Sequence, residues 1–480
     1  MNLPIDITVQ SSGTIRDALG CINRNSLGIV FVTEGRRLLG VATDGDLRRA
    51  LLGPNTVDSP ITNAMNRNFV ALPVTSDNNL IRKTFSKALR IIPLIDASGN
   101  LVDVADQRRS HRIPVLEPQL AGREFEYLSD CVATNWISSK GAYVGRFEEL
   151  FEALHPNSHA LSVSNGTVAL HLALHTLGIG DGDEVIVPNI TFAATANAVF
   201  YCGARPVLVE ISADSLCMDT DEVEKLITPR TKAIIPVHLY GQPANMAEVG
   251  RLADRYNLLV IEDCAEAIGS RINDQIVGTF GDAATFSFFG NKTISTGEGG
   301  MILFKKSADY DRAKILRDHG MDPSRRYWHN EIGFNYRLTN LQSAVGVAQM
   351  ERFETILEKK IRIFKRYREG LKECAGISYL PRQAKGEIHS NWLFTIVLVE
   401  GTSRDTICTN LLEAGIETRP VFFPLSEMPP YRHCTRSPGL STSNFVSRQG
   451  LSFPSSLTLT DADQDFIIET FLGLMADANS

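Results

Sequence analysis

The chain has 480 residues, more than one hydrophobic core usually holds, so two or three folding units are expected. A hydrophobic fraction of 43%, a charged fraction of 21% and only 21 Pro beside 36 Gly exclude a disordered chain. With 48 Lys+Arg against 55 Asp+Glu, a net charge of -7 and a pI of about 5.9, nothing points to nucleic acid or a membrane surface as a partner.

The N-terminal MNLPIDITVQ has neither a basic start nor an apolar signal core, and no apolar run approaches the roughly 20 residues that cross a bilayer, so a cytoplasmic location is expected. Eight scattered cysteines without a CxxC pair fit reduced thiols, and with no HExxH among the histidines no metal is expected. Residues 1–112 hold 14 basic and 10 acidic side chains, leaving 34 and 45 for the remainder, so the first quarter is a separate object. It contains an approximate repeat: Ile15-Arg16-Asp17-Ala18-Leu19 echoes Ile81-Arg82-Lys83-Thr84-Phe85. Each is followed by two short strands around a polar turn, Ile29–Val32 with Leu38–Val41, then Ile92–Ile95 with Leu101-Val102.

This small α+β unit, 1–112, resembles a CBS-domain pair on the run Gly40-Val41-Ala42-Thr43-Asp44-Gly45-Asp46. The resemblance implies Thr43 and Asp46 as contacts to the phosphate and ribose of an adenine nucleotide. The simpler reading makes Asp44 or Asp46 the cap of a helix starting near Leu47. The second repeat is degenerate, with Asp103, Asp106 and Arg109 where Gly, Thr and Asp are expected, so any nucleotide site is single. Arg108–Arg112 reads as a polar, basic linker.

From about residue 159 apolar strands alternate with amphipathic helices, the rhythm of a mostly parallel sheet covered on both faces. The strands are expected at Ala160–Val163, Glu184–Val187, Pro206–Ile211, Ala233–Val237, Leu258–Ile261, Ala284–Phe288 and Met301–Phe304. A helix over Thr167–Leu177 should cover the sheet with a stripe of Leu170, Leu174 and Leu177. Ligands bind beyond the C-terminal ends of such strands. There the sequence puts Ser164-Asn165-Gly166-Thr167 opening a helix, Glu262-Asp263 after the fifth strand, and an exposed loop lysine, Lys292, after the sixth. A phosphate cradle, a carboxylate for a ring nitrogen and an amine that bonds an aldehyde are the three requirements of a pyridoxal phosphate site.

Residues 113–480 resemble the DegT-type sugar aminotransferases, a branch of the fold-type I pyridoxal phosphate enzymes. The motifs are Trp136–Gly141, Ser164–Leu170, Val187–Phe192, Val260–Ala267, Phe286–Lys292 and Gly333–Asn340. The implied fold is α/β: a large cofactor domain, 113–365, with a mostly parallel central sheet, and a small C-terminal α+β domain, 366–480. The resemblance implies Lys292 as the covalent lysine and proton shuttle, Asp263 beside the pyridinium nitrogen and Phe192 on the ring. It also implies Gly166, Thr167 and Ser287 at the phosphate, and Asn335 reaching the cofactor phosphate of a partner subunit in a homodimer or larger homo-oligomer. Glu266 is implied near the ring, its alternative being a solvated helix-start acid. Arg337 and Arg419 are candidate anion anchors; His389-Ser390-Asn391-Trp392 opens the small domain, where the resemblance implies part of the substrate wall, while a lone Trp at a strand start is more often core. The implied reaction moves an amino group from L-glutamate to a nucleotide-linked 4-keto-6-deoxy sugar, GDP-linked in the first instance and UDP- or dTDP-linked otherwise, for cell-surface polysaccharide synthesis. A sugar 3-dehydratase would carry His at Lys292, and a non-catalytic regulator would not need both Asp263 and Lys292.

Overall fold

The protein is described from a computed structural model covering residues 7–25, 27–76, 80–81, 84–86, 89–106, 113–381 and 384–478. It divides into two compact units, Met1–Arg112 and Ile113–Ser480.

In the first unit, β1 (Thr8–Gln10) runs parallel to β2 (Ile29–Glu34), which turns back as β3 (Arg37–Thr43). A second sheet repeats this: β4 (Leu72–Pro73) runs parallel to β5 (Ile91–Ile95), which pairs antiparallel with β6 (Leu101–Asp106). Both hairpins shift register at the same place, between Val32 and Thr33 and between Leu94 and Ile95. Asp106 opposite Ile91 therefore takes the place that Thr43 holds opposite Ile29. Strand alternation explains the core. Val30 and Val32 pack on Ile15, Ala18 and Leu47, while Phe31 between them points to the other face and meets Ile91 and Leu101 of the second repeat. The repeated segment Ile81–Phe85 falls partly, and the linker Arg108–Arg112 with Arg109 wholly, outside the described residues.

The second unit is built on seven strands: β7 (His159–Val163), β8 (Glu184–Pro188), β9 (Arg205–Val209), β10 (Thr231–Ile234), β11 (Leu259–Asp263), β14 (Ala283–Ser287) and β15 (Gly300–Phe304). Two-residue strands β12 (Arg271–Ile272) and β13 (Gln275–Ile276) lie between β11 and β14 and join β17 (Glu387–Ile388) in a separate small sheet. The main order is β7-β15-β14-β11-β10-β8-β9, parallel throughout except for β15, which runs against both neighbours. That reversal brings the start of β15, and the Gly297–Gly300 run before it, to the edge where the parallel strands end. Gly300 is required there, since a Cβ on it would lie 2.6 Å from the Asn165 carbonyl oxygen.

The helix expected as a one-sided stripe spans Gly166–Thr176 and is buried on nearly every side, because it lies between the sheet and the helix Ala194–Tyr201. A four-stranded antiparallel sheet, β16 (Ile377–Tyr379), β18 (Phe394–Leu398), β20 (Gly450–Phe453) and β19 (Arg419–Pro420), forms the C-terminal part. The helix Phe353–Leu371 gives Phe353 and Ile356 to the core beneath the large sheet and Ile363, Phe364, Tyr367 and Leu371 to that of the small one. The proposed division at 365/366 therefore falls inside a continuous helix. Among the described residues no helix is long and apolar enough to cross a membrane.

Candidate active site

Strand alternation separates the two acids at the end of β11. Glu262 points to one side, where its oxygens accept hydrogen bonds from the backbone N–H groups of Gly278, Phe280 and Gly281, at 2.8, 2.8 and 2.9 Å, and contact His238 Nε2 at 3.1 Å. His238 Nδ1 accepts from Ala244 N–H, so Nε2 carries the hydrogen. Although Cys264 lies close to this pair, both partners' atoms are already taken up by the protein, and it acts as a strut.

Asp263 points to the opposite side and is buried. Its Oδ2 accepts from Thr195 Oγ1 at 2.8 Å and its Oδ1 from Ala265 N–H at 3.2 Å. Burial pushes its pKa up, while those two donors and the charge of Lys292 pull it back.

Lys292 sits in a compact loop between β14 and β15, closed by Phe288 N–H to Gly299 O at 2.8 Å and Thr296 N–H to Phe288 O at 2.9 Å. Expected to be exposed, its side chain is in fact only 13% accessible. The loop folds inward because Ile294, at its centre, is buried in the core. Lys292 Nζ lies 3.5 Å from Glu266 Oε1 and 3.8 Å from the centroid of the Trp392 ring. Burial lowers the lysine's pKa, against the charges of Glu266 and Asp263 that raise it.

Glu266 is buried, which overturns its alternative as a solvated helix-start acid. Its Oε2 accepts from Tyr240 N–H at 2.8 Å, and burial raises its pKa. Tyr240 holds φ at 56°, a conformation costly for a residue with a side chain. Its ring lies between Trp392 and Phe422, with centroids at 6.1 and 5.5 Å. Phe192, 61% exposed, continues this aromatic wall at 6.1 Å from Phe422.

At the mouth of the helix Gly166–Thr176, the cap is Asn165 rather than Ser164: Asn165 Oδ1 accepts from Val168 N–H at 3.0 Å. The N–H groups of Gly166 and Thr167 have no partner among the described residues, and Ser287 closes the other side. A Cβ on Gly166 would stand 2.8 Å from Ser287 Cβ, so the glycine keeps this cradle open.

The two arginines differ. Arg337 is taken up internally, with Nη1 donating to Asp318 at 2.8 Å and Nε to exposed Asn335 Oδ1 at 3.2 Å. Arg419, on β19, has no ion pair among the described residues, and its charge is felt at Lys292. In the first unit, Thr43 caps the helix Asp44–Leu51: its Oγ1 accepts from Asp46 N–H at 3.2 Å and donates to Asp46 Oδ2 at 2.6 Å. This corrects the choice of Asp44 or Asp46 as cap. Thr43, Asp46, Phe69, Arg90 and Asp106 line a cleft of about 740 Å³.

The reading of the sequence missed Tyr240 and Thr195. It also passed over His155/His159 and His171/His175, pairs at HxxxH spacing. His155 stacks on Phe151 at 4.6 Å, and His171 meets Tyr336 Oη at 3.1 Å, with burial lowering both rings to about 4. Thr195 could have been found by its place one helical turn after Phe192.

A mostly parallel sheet with one reversed strand, and a buried lysine facing two buried carboxylates at its edge, define a group-transfer enzyme of the α/β class. The chain belongs to the DegT/DnrJ/EryC1/StrS aminotransferase family, which matches residues 118–472; a CBS domain matches residues 4–53. It is 46% identical over 359 residues to GDP-perosamine synthase of Caulobacter vibrioides, covering 74% of this chain and 96% of that protein. It is 44% identical over 352 residues to GDP-perosamine synthase of Vibrio cholerae, covering 73% and 95%. Among solved structures, the PLP-form of a putative sugar aminotransferase, Spr1654 of Streptococcus pneumoniae, is 27% identical with a TM-score of 0.72, covering 77% of this chain and all of that one.

Proposed function

We propose that residues 113–480 transfer an amino group from L-glutamate to GDP-4-keto-6-deoxymannose, giving GDP-perosamine, with pyridoxal phosphate as cofactor. The observation that carries this reading is Lys292, buried at the sheet edge with Asp263 and Glu266 beside it. The likeness to two GDP-perosamine synthases over nearly their whole length supports the substrate.

The residues fit the cofactor. The open N–H groups of Gly166 and Thr167, with Ser287, suit a phosphate dianion at a helix N-terminus. Asp263, held by Thr195 and Ala265, suits a protonated ring nitrogen. Phe192 offers an apolar face. When bound, pyridoxal phosphate supplies an aldehyde for an amine to join and a cationic ring that takes up the electron pair of a broken Cα–H bond. Burial favours the neutral amine of Lys292 over the ammonium, which suits Nζ to act both as nucleophile and as acceptor of the proton from the donor's Cα. Arg419 suits an anionic group of the incoming substrate, while Arg337 and Asn335 suit a site completed by a second copy of the chain in a homodimer.

Purified protein loaded with the cofactor should absorb in the visible range and lose that band on adding L-glutamate; a colourless preparation would sink the proposal. Single-turnover amination of GDP-, UDP- and dTDP-linked 4-keto-6-deoxy sugars tests the acceptor, and reaction with only a UDP or dTDP sugar would overturn the GDP assignment. For the first unit we propose an adenine nucleotide in the Thr43/Asp46 cleft, on the strength of its lining and volume. Calorimetry of the full chain with ATP and AMP tests this, and no heat with either would leave the unit a structural role.

A further inference from the structure

We propose that Trp392 is the positioning residue for Lys292: its ring face receives the free amine, and its indole N–H ties down the loop that carries it. The inference rests on the reading of Lys292 as the cofactor lysine. Nζ lies 3.8 Å from the Trp392 ring centroid, and Trp392 Nε1 donates to the carbonyl of Asn291, the residue before the lysine, at 2.7 Å. One side chain thus contacts both ends of the lysine's freedom, its backbone and its ammonium.

The indole is itself held in place by other side chains. Tyr240 stacks on it at 6.1 Å with the ring planes 9° apart. The Trp392 carbonyl accepts from the buried Lys360 Nζ at 3.1 Å, and Lys360 donates again to Ser455 O at 2.6 Å. Asn391 Nδ2 bonds the Lys360 carbonyl at 3.3 Å, closing the circuit. A tryptophan serving only as core packing would need some acceptor for its N–H, but neither that acceptor on the residue before the lysine nor an amine on its face.

The arrangement suits a lysine that must alternate between bonded and free. On one side Glu266 stands 3.5 Å away and on the other lies a π face, so the ammonium is stabilised by two partners, neither of which is a short hydrogen bond. The amine is held yet released without breaking a strong contact. Asp263, Glu266 and Arg419 are the charged groups that act on it, and fluorination of the indole leaves all three side chains in place as residues.

The test uses the full-length protein stripped of cofactor, with acetic anhydride as the probe and mass spectrometry of the Lys292 peptide as the readout. Wild type, Trp392→Leu and a protein with fluorinated tryptophan at 392, which keeps the indole's shape and drains its π face, are acylated across pH. The midpoint for Lys292 should fall by about 0.5 to 1 pH unit in the Leu variant and by a smaller step in the same direction with fluorination. An unmoved midpoint in the fluorinated protein overturns the proposal, even if the Leu variant does not fold. In the loaded fluorinated enzyme kcat should fall with KM for the keto sugar unchanged; a rise in KM alone would make Trp392 a substrate wall instead. If the wild type shows no cofactor band, the proposed function fails, while the acylation midpoints still report on Trp392.

Discussion

Thr43 and Asp263 both close a strand at a sheet edge, and their polar neighbours behave in opposite ways. Around Thr43 the donors and acceptors satisfy one another: hydroxyl, carboxylate and backbone N–H groups form a reciprocal cap, with Arg49 pairing the free oxygen of Asp46. Around Asp263 they do not. Lys292 and Glu266 face each other at 3.5 Å, the neighbouring Thr293 hydroxyl is buried with no partner among the described residues, and Tyr240 holds a strained backbone. A helix cap is a finished structure, whereas groups kept buried and under-partnered need a further molecule to complete them.

The sharpest way to break that contrast is Lys292→Ala. Turnover should fall by roughly 10³-fold or more, because nucleophile and proton acceptor are lost together. The fold should survive, since removing a buried amine relieves desolvation. Circular dichroism and steady-state amination check both halves, and an unfolded variant would make the lysine structural. Asp263→Asn should cost about 10²-fold in kcat at near-normal stability, with Thr195→Val giving a smaller loss in the same direction. If Thr195→Val is the more damaging of the two, the hydroxyl has a role beyond holding the carboxylate.

Legibility follows the same division. All seven large-sheet strands could be read from apolar runs, and the strand ends led to Asp263 and Lys292, because a buried parallel sheet writes its period plainly. The burial of Lys292 was not legible, since it depends on how a Gly-rich loop closes over Ile294. Nor was the role of Tyr240: its positive φ arises from a chain reversal held by Glu266, and nothing in its residue type announces that. Arg337 and Arg419 looked equivalent until the fold brought Asp318, 19 residues earlier in the chain, against the first of them.

Lys360 extends the comparison to a buried amine outside the site. It is fully buried, has no carboxylate partner among the described residues, and burial pushes it down to about 7. Between pH 7 and its unfolded value near 10.5 the unfolded chain holds a proton that the folded one has released, so stability should rise with pH across that window. The total is on the order of 3 to 5 kcal/mol. Urea unfolding at pH 7, 8 and 9 should show that slope in wild type and a flatter one in Lys360→Met; equal slopes would mean that Lys360 opens to water.

The smallest effect belongs to the finished side of the contrast. Thr43→Ala removes the hydroxyl that accepts from Asp46 N–H and frees the Asp46 carboxylate from one of its donors. A lost N-cap costs about 1 kcal/mol, so the first unit should melt slightly earlier while amination by the second is unchanged. Thr43→Ser restores the hydroxyl and should restore the melting point. Nucleotide binding separates the two uses of this residue. If Thr43 contacts a phosphate, Ala should weaken ATP or AMP binding at temperatures well below the melting transition, and Ser should rescue it. If the hydroxyl only caps the helix, stability will move while the binding constant stays where it was. That outcome would move the search for the ligand's contacts to the other polar side chains that line the cleft, among them Asn66, Ser86 and Arg90.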